Sequence, residues 1–286
     1  VSAQHAVTQT APISITGSET YELANIILAL TPYGQQDPSE VAKNSHYYQE
    51  VRTQFAPYAQ HPLLVQVNYS RKEWEKYLSF RTDAYAFAFN KQGQLSRQFP
   101  FYAQGPSHPF DEHLALITDF VQTSGFRAFY QRHQPYYDSL TVAYKASQRL
   151  PEVLSFLGTE LGNARPDAQY AIVFSPLVGR MNCHRTVNHV ATDFISLPEF
   201  LLNQTAAKAP SVTDVASGIH MLFTEMDHGF VNPVTNQYAA QVTAAFTPTK
   251  WDSGSGYEKD PFGTFNEYMT WAVYDLFVYQ YFPQIA

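Results

Sequence analysis

Residues 224 to 228 read Thr224-Glu225-Met226-Asp227-His228, a short run rich in groups that move protons or hold metal ions. On a helix, positions i and i+4 stand one above the other. Residues 224 and 228 would therefore share a face, with the spacing that lets two imidazoles grip one zinc ion. The first of the two is a threonine here, and its hydroxyl is a poor zinc ligand beside an imidazole. Glu225 lies about a quarter-turn round the helix, where a carboxylate could take a proton from metal-bound water. The same residues also suit a plainer role, a solvated polar face closing on a histidine that favours the helix dipole.

The helix that positions these groups is legible upstream. Ser211 reads as its N-cap, with Asp214 three residues later as the acidic partner. At about 100° per residue, Val212, Val215, Ile219, Leu222, Phe223 and Met226 fall in one apolar arc, and Ser217, Met221, Thr224 and His228 stand opposite. Gly229 and the Asn232-Pro233 turn are expected to end it at His228. A second helix, Phe262 to Tyr281, carries Glu267. Its expected core stripe is Phe265, Tyr268, Ala272 and Leu276. Glu267 shares another face with Trp271, Tyr274 and Val278, where a buried carboxylate needs a partner, either a metal or a tyrosine hydroxyl.

The first half of the chain reads as mainly helical up to about residue 158. Helices are expected over Thr20 to Thr31, Val41 to Phe55, Asp111 to Phe129 and Tyr136 to Gln148, with another opened by Pro151. Residues 71 to 90 pass from helical spacing to alternation. Tyr170 to Leu177 and Val190 to Leu197 read as buried strands, each ended by a proline, and Pro198 to Leu202 as a short helix. The order implies an α+β organisation: an N-terminal extension over 1–18, then a single domain over 19–286.

Composition excludes several classes of function. A net charge of −7 with no Lys/Arg run argues against a nucleic-acid partner, and no apolar run reaches the about 18 residues of a membrane span. The one cysteine, Cys183, reads as a small buried side chain, since adjacent strand residues turn it away from His184. The Thr-rich opening from Val1-Ser2-Ala3-Gln4-His5 and the Lys-poor surface suit a secreted or periplasmic protein.

Ser175-Pro176-Leu177, the stretch from Thr224 to Pro233, and Asn266-Glu267-Tyr268 together resemble an uncharacterised bacterial family of zincin-like proteins. Its members carry His-Glu-Phe-x-His-x-Phe-Val-Asn-Pro on the helix and a downstream Glu-Tyr. The resemblance implies a gluzincin-type metallopeptidase fold with a small sheet, an active-site helix and a C-terminal helix. It implies zinc held by His228 and Glu267, Glu225 as general base, and a peptide or protein substrate. Thr224 departs from the pattern at the first ligand, so His220, His184 and His189 are candidates to replace it or to line the site. The last two are expected in a loop between the two strands that runs over the cleft. Three functions follow: a zinc-dependent peptidase-like hydrolase with a degenerate motif, a catalytically inactive protein of the same fold that binds peptide or glycan, and a secreted carbohydrate-active or carbohydrate-binding protein. The third draws on the 15% aromatic content.

Overall fold

The computed structural model describes residues 13–102, 105, 107–162, 169–203, 209–251 and 259–285. Most of the expected N-terminal extension, from Val1 to residue 12, lies outside them. The protein is α+β, with helices dominant and a small mixed sheet. Its described residues divide into two compact units, one formed by those within 13–146 and 169–203, the other by those within 147–162 and 209–285.

The first unit is built on a four-stranded sheet. Ile13–Thr16 (β1), Tyr170–Phe174 (β4), Cys183–Val187 (β5) and Val190–Ile195 (β6) are ordered β1-β4-β6-β5, with β2 and β3 forming a separate hairpin from Phe87–Phe89 and Leu95–Arg97. β4 runs parallel to both β1 and β6, and β5 is antiparallel to β6. The central strand is apolar along its length because both of its faces are covered. β1 falls within residues expected to be an extension. The helix Glu19–Leu30 lies against the sheet, buried from Thr20 onward, and the Tyr21 ring stands 5.3 Å from Phe194 on β6. A helix buried on every side belongs in a core.

Two expected helices are shorter than their spacing suggested. The segment starting at Val41 becomes helical only at His46, capped by Ser45. Before that, Val41 bridges to Val178 and the Ala42 amide donates to the Leu177 carbonyl at 2.9 Å, which holds the backbone extended. The run from Asp111 to Phe129 breaks into Leu114–Ser124 and Phe126–Arg132 at Gly125, whose φ of 69° is the left-handed conformation that ends helices.

In the second unit, Leu150–Leu161, the motif helix Val212–Gln237 and the terminal helix Pro261–Tyr281 enclose an aromatic core. Phe223 packs 5.0 Å from Phe277, and Phe156 lies 5.4 Å from Phe277. The Ser211–Asp214 capping box forms as the sequence indicates. Downstream, two expectations fail. The motif helix does not stop at Gly229 but runs through Pro233 to Gln237. Proline removes one amide and crowds the carbonyl four residues back, which belongs to Gly229. Buried Val231 and Thr235 hold the extra turns in place. On the terminal helix, Tyr268, Ala272 and Leu276 are exposed, and the buried face is Thr264, Asn266, Thr270, Val273, Tyr274 and Phe277. This face meets the motif helix, where the Tyr274 hydroxyl donates to the Ala216 carbonyl at 2.7 Å.

Candidate functional site

His228 and Glu267 meet across the motif and terminal helices. His228 Nε2 lies 3.5 Å from Glu267 Oε1, with the two side chains 20% and 39% exposed. The other ring nitrogen, Nδ1, faces Asn232 Oδ1 at 3.3 Å. Asn232 follows His228 by one helical turn and shares its face only because the helix continues past Gly229. An amide oxygen accepts, so Nδ1 carries a proton. A neutral ring would then turn the Nε2 lone pair toward a carboxylate. The contact is favourable when a cation, proton or metal, stands between Nε2 and Oε1. Burial works against charge on His228, but its contact with Glu267 and the negative charges of Glu225 and Glu267 outweigh it and raise its pKa above the ordinary imidazole value. Glu225 is half-buried and contributes to that field.

Thr224 is buried, and its hydroxyl is used within its own helix, donating to the carbonyls of His220 at 3.1 Å and Met221 at 3.3 Å. Such back-bonding is the common fate of a mid-helix threonine. His220 packs its ring 4.4 Å from Trp271 and 4.5 Å from Tyr274. Burial lowers its pKa, with partial opposition from Asp275, so it sits there as a neutral ring. Asp227 points into the core. Neither of its oxygens has a hydrogen-bond partner among the described residues, and burial pushes its pKa up to about 8 against a small opposing effect of His228.

His184 and His189 belong to the other unit, and the loop expected to carry them is a hairpin. His184 is on β5, opposite Asp193 of β6, and its Nδ1 lies 2.7 Å from Asp193 Oδ1. Asn188 and His189 form the two-residue turn between β5 and β6, with φ of 48° and 65°, as a primed turn requires.

Two ligand atoms held at about 2.0–2.1 Å in a tetrahedral zinc site stand about 3.3–3.4 Å apart. The His228–Glu267 separation of 3.5 Å fits two corners of such a site, and Asn232 supplies the partner that a zinc-bound histidine takes on its other nitrogen. The Thr224 position does not fit a third corner, because its hydroxyl is turned to the helix backbone. Among the described residues no group of three His, Cys, Asp or Glu side chains is arranged to hold a metal ion. The site residues missed from sequence are Asn232, read as a turn, and the Asp193 partner of His184, which strand register alone brings opposite. Comparison with protein-family models, with curated proteins and with solved structures finds no match.

Proposed function

We propose that the helical unit carries a peptidase-like hydrolytic site of zincin type in degenerate form, with His228 and Glu267 as the retained zinc ligands and Glu225 as the retained base. The observation that carries this reading is the 3.5 Å approach of His228 Nε2 to Glu267 Oε1, with Nδ1 engaged by Asn232. Zinc bound there would supply the charge that polarises a carbonyl. Glu225 would hold the proton taken from an attacking water, and Asn232 would fix the His228 ring. The substrate class on this reading is a peptide or an unfolded protein, and the site belongs to a secreted or periplasmic protein.

One observation favours a second reading. With the Thr224 hydroxyl bonded to His220 and Met221, the site has two protein ligands where a catalytic zinc has three. A protein of this fold that binds peptide or glycan without cleaving it would look the same. The readings part on a simple experiment. The protein is loaded with zinc, desalted, and analysed by elemental mass spectrometry alongside His228→Ala and Glu267→Ala. A denatured protein substrate is then offered to the parent and to Glu225→Gln. Stoichiometric zinc lost in both ligand variants, with cleavage lost in Glu225→Gln, is the result expected of the hydrolase. Zinc without cleavage selects the binding protein, and no zinc at all overturns the metal site.

A further inference from the structure

The sheet-bearing unit has a cleft of its own, far from the motif in sequence and built by the helices His46–Phe55, Phe126–Arg132, Gln134–Ser147 and Glu199–Leu202. Its volume is about 540 Å³, within the range of small-molecule sites. Leu140, Leu201 and Leu202 give it an apolar wall, and the Tyr47 ring is stacked 5.3 Å from Tyr136 beside it.

The charges around the cleft are unevenly matched. Among the described residues Glu50 is its one carboxylate, and it is engaged by two imidazoles, with Oε2 3.1 Å from His133 Nε2 and 3.5 Å from His46 Nδ1. His133 is in turn fixed by the Phe129 carbonyl, 2.8 Å from Nδ1. Arg132 has no carboxylate partner among the described residues. Its guanidinium meets only the Gln54 side-chain oxygen, at 3.4 Å, and the Phe129 ring. The Tyr136 hydroxyl is buried and likewise has no partner among the described residues, although buried polar groups are ordinarily satisfied. Within one concave site, then, a cation with no carboxylate partner among the described residues lies beside an apolar wall.

We infer that this cleft binds a small organic acid, a carboxylate on a ring-bearing apolar body. The acid group pairs with Arg132, whose planar fork suits a carboxylate. The body lies against Leu140, Leu201 and Leu202. None of this involves the residues of the motif helix, so the two sites are tested separately.

The test is isothermal titration of the full chain with 1-naphthaleneacetate and with its neutral isostere, 1-naphthaleneacetamide. The acid is expected to bind with a dissociation constant below about 1 mM, and the amide roughly tenfold more weakly. Arg132→Gln, at an exposed position, should bring the acid down to the level of the amide with the thermal unfolding midpoint unchanged. Leu202→Asp, on the apolar wall, should weaken both ligands. No binding of the acid, equal binding of acid and amide, or full binding by Arg132→Gln would each overturn the inference.

Discussion

The two units each pair a histidine with a carboxylate, and they do so in opposite ways. In the sheet, Asp193 is fully buried and accepts from both His184 Nδ1 and the Tyr170 hydroxyl. The acid is the fixed point and the imidazole is oriented by it, leaving Nε2 at the edge strand. Between the helices, the carboxylate of Glu267 is partly solvated and the histidine is the fixed point, held by Asn232 from its own helix. The first arrangement is part of the sheet's structure. The second is a partly solvated contact between two helices.

The largest effect expected is a gain. Thr224→His restores the i, i+4 histidine pair, and zinc affinity, measured by competition with a chromophoric chelator, should rise by roughly a thousandfold, about 4 kcal/mol. No gain would mean that the helices hold position 224 away from His228 and Glu267, and the helical pair would then be as structural as the one in the sheet. Next comes a loss confined to the sheet. Asp193→Ala strands two donors in the interior and should cost about 3 kcal/mol in chemical denaturation.

Two buried acids sharpen the contrast further. Burial pushes Glu22 up to about 7, although the Tyr47 hydroxyl donates to it at 2.7 Å, and pushes the partnerless Asp227 up to about 8. A raised carboxyl keeps its proton in the folded chain while the unfolded chain releases it. Stability is therefore complete below the ordinary values of 4.5 and 3.8 and falls as pH rises to about 7 for Glu22 and about 8 for Asp227. Glu22→Gln and Asp227→Asn should each flatten that fall by roughly 3 kcal/mol in thermal melts between about pH 4 and pH 8.5, and only Asp227→Asn should act above pH 7. The smallest effect is that of Glu267→Ala in metal-free buffer, at most about 1 kcal/mol for a partly exposed pair. A cost as large as that of Asp193→Ala would erase the difference between the two regions.

Local chemistry was readable and long-range chemistry was not. Ser211 and Asp214 announce a helix start because both halves of the capping box lie within one turn. The strand Tyr170–Phe174 announces itself by a short apolar run. The motif helix outruns its local stop signals because Gly229 and Pro233 are breakers only until packing opposes them. The buried face of the terminal helix departs from its large apolar pattern because Tyr268 and Leu276 face outward, while the polar Asn266 and Thr270 are buried.

The sequence by itself determined the capped start of the motif helix, the two strands Tyr170–Phe174 and Val190–Ile195, and the presence of Glu225, His228 and Glu267, since propensity, capping and periodicity act over a few residues. Only the tertiary structure decided that Glu267 reaches His228, that the motif helix runs on far enough to put Asn232 beside the imidazole, and that His184 is bound to Asp193. Each of those depends on which helix face or strand register meets which, and that choice is made by the packing of segments far apart in the chain.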